Sequence, residues 1–392
     1  MKQLASMSRG TRWAVPAGAV VVVGGVMAGS LISVAQAAPA LPSRTPAQLL
    51  AAVAGTTSSP PLTGTVVETS SLGLPALPDT GNPTSLSSLL TGTHTIQLSY
   101  QDPTHYRVAV PQQGSESDLI RSGSNAWLWE SSKNTVSHMA VPAHAAKAEP
   151  KSSAAPMTPQ QAADQILAKV GPTTKVRVLS NISVAGHAAY QLVLQPRSSD
   201  SLIGQVRIAV DGQNNVPLQV QVYGKGAGSP AIQIGFTSVS FVKPAGANFA
   251  FTPPAGAKVE QQTSGSGAKS SANGVANGAS TIGKGWLTVA DLPSSVLSSA
   301  TASTPSSSSS SSSSSPLGGD TSAVIGALLK SGTHVKGGFG SGRLLQTSLV
   351  SMLITDNGRV FAGAVTPAVV EQAATQAAQS APATPAAPAT GK

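Results

Sequence analysis

Apolar and polar residues alternate along most of the chain between about residues 96 and 241. The apolar members of this pattern are Ile96, Leu98 and Tyr100; Tyr106, Val108 and Val110; Trp127 and Trp129; Tyr190, Leu192 and Leu194; Val206, Ile208 and Val210; Leu218, Val220 and Val222; and Ile232, Ile234 and Phe236. A period of two residues is typical of β-strands with one apolar and one polar face. Turn segments such as Gln101–Thr104 and Asp211-Gly212 separate these runs, so the pattern predicts an antiparallel meander.

The alternation shifts by one residue after Phe236, because the next apolar positions are Val239 and Phe241. One extra residue in a strand forms a β-bulge, which bends the strand and increases its twist. The sequence therefore predicts a bulge near Thr237-Ser238.

Two segments carry the signals of a helix start, Thr45-Pro46-Ala47-Gln48 and Thr158-Pro159-Gln160-Gln161. In each, the threonine can cap free N–H groups, and the proline occupies a position where no N–H is needed. The glutamine three residues after the threonine can complete a capping box. Both segments are predicted to begin short amphipathic helices, and Gly171-Pro172 ends the second.

These two helices are too small to cover the apolar side of the predicted sheet. About eleven strands, with ~4.8 Å spacing and ~18 Å length, form a face of roughly 950 Å². Two short helices cover about a third of that area. The sheet must therefore curl and leave an apolar cavity, or pack on a second sheet in a closed β-sandwich. The geometry alone leaves both alternatives open.

The composition changes after about residue 260. Residues 261–281 read as a flexible linker, and a small C-terminal unit is predicted over 282–297 and 320–378, interrupted by the Ser-rich, disordered segment 298–319. Within this unit we expect a strand at Trp286–Val289, a helix at Ser322–Lys330 and a last helix after Thr366-Pro367. Leu344–Thr355 and Arg359–Val365 are predicted to form a hairpin around Asp356-Asn357-Gly358. The unit is small enough that we expect it to dock on the first domain, and residues 379–392 are predicted to be a disordered Ala/Pro tail.

The N-terminus has the order of features that is typical of a secretory signal peptide. Lys2, Arg9 and Arg12 precede an uncharged, largely apolar stretch that ends at Ala35-Gln36-Ala37. Residues 1–37 are therefore predicted to be a signal peptide, with an uncleaved membrane anchor as the alternative. Either interpretation places the body of the protein outside the cytoplasm, secreted or associated with the cell envelope.

The composition excludes cysteine-based chemistry and gives little support to nucleic-acid binding, metal binding or catalysis. The chain of 392 residues has no cysteine, only 10% charged residues and a net charge of +9, of which +3 lies in the predicted signal. No Lys/Arg cluster indicates a nucleic-acid partner, and the six histidines lack the spacing of metal ligands. Glu116 and Asp118 could share one strand face as a carboxylate pair, but such a pair is more often solvated than catalytic. We therefore predict a protein that is not an enzyme, with no catalytic residue, no cofactor and no metal.

Several segments between residues 44 and 260 resemble a known family. They are Gly64-Thr65-Val66-Val67-Glu68-Thr69; Glu116-Ser117-Asp118-Leu119-Ile120-Arg121 followed by Trp127-Leu128-Trp129; Val216-Pro217-Leu218-Gln219-Val220; Gly235-Phe236-Thr237-Ser238-Val239-Ser240-Phe241; and Phe249-Ala250-Phe251-Thr252-Pro253-Pro254-Ala255-Gly256-Ala257-Lys258-Val259. In order and spacing, these segments resemble the actinobacterial branch of the outer-membrane lipoprotein carrier LolA. The wider superfamily includes the sigma-factor regulatory protein RseB, also called MucB.

The resemblance implies that residues 44–260 form an unclosed antiparallel half-barrel with a helical lid. Together with the small C-terminal α/β-hairpin unit, which is not part of the carrier itself, the predicted fold class is α+β, mainly antiparallel. The resemblance also implies an apolar cavity that takes a lipid or the acyl chains of a lipoprotein, as a carrier or a sensor. Apolar and aromatic strand positions are predicted to line this cavity: Ile96, Leu98, Tyr100, Trp127, Trp129, Val206, Ile208, Leu218 and Val220.

Two other functions stay open at this point. The chain could be a regulatory module that binds a membrane anti-sigma factor or another membrane protein of the envelope through its C-terminal unit. It could also be a structural protein of the cell envelope.

Overall fold

The computed structural model describes residues 40–55, 59–73, 91–112, 114–141, 171–262, 279–293 and 331–380. Outside these residues lie the predicted signal peptide, the predicted helix after Thr158, most of the linker, the Ser-rich segment, the predicted helix at Ser322–Lys330 and the C-terminal tail from residue 381. Within the described ranges, no helix is both long and apolar enough to span a membrane.

A twelve-stranded sheet forms most of the described structure. Its strands are β1 (Leu62–Ser71), β2 (Thr91–Asp102), β3 (His105–Gln112), β4 (Ser115–Ser122), β5 (Asn125–Glu130), β6 (Thr135–Ala140), β7 (Thr174–Val184), β8 (His187–Pro196), β9 (Ile203–Asp211), β10 (Pro217–Gly224), β11 (Ile232–Ser240) and β12 (Lys258–Gln262). Their spatial order is β12-β6-β5-β4-β3-β2-β1-β11-β10-β9-β8-β7.

The large sheet is an antiparallel meander in two halves. β1 to β6 and β7 to β11 each run between sequential neighbours, and the halves join where β1 pairs with β11. Only β12 runs parallel to its partner, β6, among the described strands. The edge strands β7 and β12 do not pair with each other, so the sheet is unclosed. This confirms the predicted α+β class with a large open antiparallel sheet.

The predicted bulge lies in β11. Thr65 of β1 pairs with Ser238, whereas the next residue, Val66, pairs with Phe236, so Thr237 is the extra residue. The phenyl ring of Phe236 lies beside Gly64, where an added Cβ would be 2.8 Å from the ring and 2.6 Å from the carbonyl oxygen of Ser238. Glycine at this position therefore allows the bulged strand to approach β1 closely.

The first predicted helix, α1 (Pro46–Gly55), lies on one side of the large sheet. Its capping box forms as expected: the backbone N–H of Gln48 donates to Thr45 Oγ1 (3.2 Å), and the N–H of Thr45 donates to Gln48 Oε1 (2.9 Å). Leu49 is fully buried in a cluster with Tyr190 and Leu192. The helix thus covers the sheet near β7, β8 and β9.

A second sheet of six strands and a helix follow in sequence. The strands are β13 (Ser280–Ile282), β14 (Val289–Leu292), β15 (Thr333–Gly337), β16 (Gly340–Gln346), β17 (Ser351–Thr355) and β18 (Val360–Gly363), and the helix is α2 (Pro367–Ser380). The sheet order is β13-β14-β18-β17-β16-β15. α2 begins after Thr366-Pro367 as predicted, and it buries Val370 and Ala374 against Leu353 and Phe361.

Two expectations for this second sheet need correction. Trp286-Leu287 belongs to a short 3₁₀ turn, and the strand begins only at Val289. The predicted strand Leu344–Thr355 is divided into β16 and β17, because the hydroxyl of Thr347 accepts hydrogen bonds from the N–H groups of Leu349 and Val350 and turns the chain. The hairpin of β17 and β18 does form, with Gly358 at a φ of 83°.

The second sheet contacts the large one through backbone hydrogen bonds and a small apolar cluster. The N–H of Leu202 donates to Ala364 O, and the N–H of Ser348 donates to Leu72 O, both at 3.0 Å. Leu349 is buried with Leu72 and Ala231. These contacts show the docking that the small size of the unit led us to expect.

Candidate ligand-binding face

Cross-strand pairing places a row of apolar side chains on one side of the large sheet. Residues directly opposite each other on neighbouring strands share a face, and alternate residues along a strand do too. We call this surface the apolar face; it comprises Val66, Ile96, Leu98, Val108, Leu119, Leu128, Val206, Ile208, Val220 and Ile234.

Most of the sequence-predicted site residues are on the apolar face or in line with it. Ile96, Leu98, Val206, Ile208 and Val220 belong to it, and all five are half-buried. Tyr100 continues the same alternation on β2, opposite Leu62 and Tyr106. Six of the nine predicted residues are thus brought to one side of the sheet.

The other three predicted residues have different surroundings. Leu218 lies at an irregularity in the pairing of β9 with β10 and is fully buried in a cluster with Ala189 and Ala209. Trp127 and Trp129 flank Leu128 on β5 and therefore point to the side opposite the apolar face.

The two tryptophans lie on a side of the sheet that later residues partly cover. Trp127 stacks on His138 with ring centroids 3.8 Å apart and contacts the ring of Phe251 at 5.7 Å. Phe249, in the same segment after β11, is buried and meets the ring of His105. On this side the aromatic residues have a packing role.

Part of the apolar face is covered and part is exposed. At its β8–β9 end, Ile208 packs beside the Leu49 cluster of α1. Away from α1, Leu119, Leu128 and Ile234 remain 39%, 37% and 42% exposed. Leu119 and Leu128 are direct cross-strand partners, so they form one continuous apolar patch on β4 and β5.

Five residues of the apolar face are not among the predicted cavity-lining residues: Val66, Val108, Leu119, Leu128 and Ile234. The signal that could have found them is the same alternation of period two. On β5 it was ambiguous because Leu128 lies between two tryptophans, and all three residues are apolar. The two tryptophans lie on the side of β5 opposite the apolar face.

The carboxylate pair lies on the side opposite the apolar face. Arg107 of β3 donates to Asp118 and also contacts Glu116 at 3.5 Å, and the N–H of Glu116 donates to Ser131 Oγ. Asp118 is 1% exposed, so the expectation that this pair is solvated is wrong for Asp118. A hydrogen bond with Asp118, together with burial and the charge of Asp118, raises the pKa of Glu116 to about 7 against the opposing effect of Arg107.

Glu116 is expected to make the protein less stable as the pH rises. Its pKa in the folded chain lies above the ordinary value of 4.5, so the stabilising contribution of the protonated form is complete below that value and is lost as the pH rises through about 7. Replacing Glu116 with glutamine keeps a neutral group at every pH. Near pH 8, the melting temperature of the variant should therefore be about 2 °C or more above that of the natural chain. Near pH 4, the two melting temperatures should be the same.

Thermal melts monitored by circular dichroism would measure this difference. Glu260→Gln, at the β12 edge, is the matched control and should give no gain that depends on pH. A Glu116→Gln gain of equal size at both pH values would contradict the role of this proton.

The described residues contain no group of three or more His, Asp or Glu that could hold a metal ion. No family model matches the chain, and no curated protein matches it in sequence.

Solved structures that are similar to this chain share little sequence with it. A chain of the Pseudomonas aeruginosa MucA/MucB complex is 12% identical, covering 84% of this chain and 96% of that one, with a TM-score of 0.40. LprF from Mycobacterium bovis is 11% identical over 56% of this chain and all of that one (TM-score 0.26). A LolA superfamily protein from Nitrosomonas europaea is 11% identical over 53% and 99% (TM-score 0.20). Because these TM-scores are below 0.5, the likenesses assign neither a family nor a ligand to the chain.

Proposed function

We propose that this chain is an extracytoplasmic protein that binds the acyl chain of a lipid or lipoprotein on its apolar face, as a carrier or a sensor and not as an enzyme. The observation that carries this proposal is the exposed pair Leu119 and Leu128, which continues into the half-buried Val108 and Leu98 across four neighbouring strands. This face lies on the side of the sheet that α1 covers only at its β7–β9 end.

An acyl chain suits this surface because both are aliphatic. Burial of apolar area is favourable by about 25 cal/mol per Å², and each buried CH₂ of a lipid chain contributes ~0.8 kcal/mol. The apolar face has Val, Leu and Ile side chains on neighbouring strands, so one chain can contact several of them at once. On the other side of the same strands, Gln97 of β2 and the ion-paired Arg107 of β3 and Asp118 of β4 interrupt any aliphatic row.

Placing a charge on the apolar face should abolish lipid binding. Leu98→Glu puts a carboxylate in the middle of the face, and burying that charge against an acyl chain is costly. We expect uptake of a fluorescent fatty acid to fall about tenfold or more. Gln97→Glu makes the same change in charge one residue away, at an exposed position on the other side of β2, and should leave uptake unchanged.

The direct test is mass spectrometry of the protein purified without detergent, which should find co-purified lipid. Circular dichroism of both variants would verify that each is folded. A ligand-free mass of the natural chain together with no uptake of the probe would overturn the proposal, and equal uptake by both variants would remove the apolar face as the site.

A further inference from the structure

Arg121 is an arginine within the apolar side of the sheet. On β4 it pairs with Tyr106 of β3 and with Ala126 of β5, and it alternates with Leu119, so its side chain is on the same side as the apolar face. The residue is only 6% exposed. Such burial is unusual for arginine, which is almost never fully buried unless its charge is paired.

The guanidinium of Arg121 has few partners in the part of the chain that the structure describes. Its Nη2 donates a long hydrogen bond of 3.5 Å to the carbonyl oxygen of Val141, and its Nε is buried with no hydrogen-bond partner. Among the ion pairs of the described residues, none involves Arg121, whereas Arg107 on the neighbouring strand has two carboxylates. A buried cation with an unused donor is unfavourable unless an anion joins it.

The position of Arg121 is suited to the head of a bound lipid. Leu119 lies two residues away, about 7 Å along β4, and the cross-strand row Leu119, Val108 and Leu98 begins there. A ligand with an anionic group at Arg121 would thus lay its chain on the row of aliphatic side chains. The planar guanidinium fork matches a carboxylate or a phosphate in two parallel hydrogen bonds.

We infer that Arg121 binds the anionic group of an amphiphilic ligand, a carboxylate or a phosphate, whose acyl chain lies along Leu119, Val108 and Leu98. The inference rests on the proposed lipid binding and narrows it to an anionic lipid. The acylated end of a lipoprotein, whose glycerol esters and amide carry no charge, would leave Arg121 unpaired. The source of the anion is either a free fatty acid or a phospholipid, and both present the same chemistry to the guanidinium.

Displacement of a fluorescent fatty acid by three competitors with the same chain tests this inference. Palmitate carries a carboxylate, hexadecyl phosphate carries a phosphate, and hexadecanol carries no charge. The natural chain should bind at least one of the two anions about tenfold to a hundredfold more tightly than hexadecanol, which is the range expected for a charge-assisted hydrogen bond. The stronger of the two anions would identify the source.

Arg121→Gln should reduce the affinity for the anions to that for hexadecanol and leave the affinity for hexadecanol unchanged. The ligand-free variant should melt no lower than the natural chain, because it loses a buried charge that has no counterion among the described residues. Arg177→Gln removes an exposed arginine of β7 and is the matched control, which should keep the preference for anions.

Three results would overturn the inference. A natural chain that binds hexadecanol as tightly as palmitate and the phosphate would keep the proposed function and reject the role of Arg121. A preference for anions that survives in Arg121→Gln would do the same. No binding of any of the three competitors or the probe would reject the proposed function and the inference with it.

Discussion

Replacing Arg359 with methionine is expected to destabilise the second sheet by about 3–5 kcal/mol, the usual loss when one partner of a buried ion pair is removed. Arg359 donates from Nε and Nη2 to the two oxygens of Asp291, at 3.2 and 2.5 Å, and Asp291 is only 3% exposed. This pair joins β14 to the start of β18. Without Arg359, the hydroxyl of Ser280 would be the one remaining side-chain partner of the Asp291 carboxylate among the described residues.

Hydrogen exchange measured by mass spectrometry would locate this loss. Protection should fall in β14 and β18 and stay unchanged in β8 to β10 of the large sheet. Arg343→Met removes an exposed arginine of the same sheet and should have little effect. Adding Asp291→Leu to Arg359→Met should restore part of the stability, because it removes the charge left unpaired. Equal protection in Arg359→Met and the natural chain would contradict the importance of the pair.

The second large loss of stability is expected on truncation of Leu49, the residue of α1 that packs most deeply against the large sheet. Leu49 is completely buried against Tyr190 and Leu192. Truncation to alanine removes that packing and leaves a cavity, which costs about 2–5 kcal/mol for a buried leucine. Ala47 is the other buried residue of α1. We therefore expect the helix of the variant to detach from the sheet before the strands separate.

Urea denaturation monitored by circular dichroism, with limited proteolysis of residues 40–55, would measure both parts of this prediction. Val53→Ala shortens a half-buried side chain of the same helix and is the control, with a loss below that of Leu49→Ala. Similar small losses in the two variants, with no faster cleavage, would show that α1 does not depend on Leu49.

Local rules explain why much of the fold could be predicted from the sequence. The bulge at Thr237 was visible because the apolar period slips between Phe236 and Val239, and a slip of one residue has no other simple explanation in a strand. The capping box of α1 was visible because Thr45 and Gln48 act within one helical turn. Both features depend only on residues close together in the chain.

The features that could not be predicted depend on residues far apart. The packing role of Trp127 depends on Phe251, whose ring contacts it from the segment that follows β11. The pattern of β5 does not reveal this contact, because Trp127, Leu128 and Trp129 are all apolar. The parallel pairing of β12 with β6 is a distant contact too. The burial of Arg121 with few hydrogen-bond partners could not be predicted either, because it depends on the packing of β3 and β5 and on the carbonyl of Val141.

The pairing of β1 with β11 sets the order in which the large sheet can form. Thr63 pairs with Ser240, so the centre of the sheet must wait for a partner that is synthesised much later, whereas each half can grow through sequential hairpins. Closing so long a loop slows folding, because its entropy is lost before the contacts form. Until β11 arrives, β1 is an exposed edge able to pair with other chains. A chain cut before Ile232 should therefore aggregate, although nearly all of its hairpins are intact.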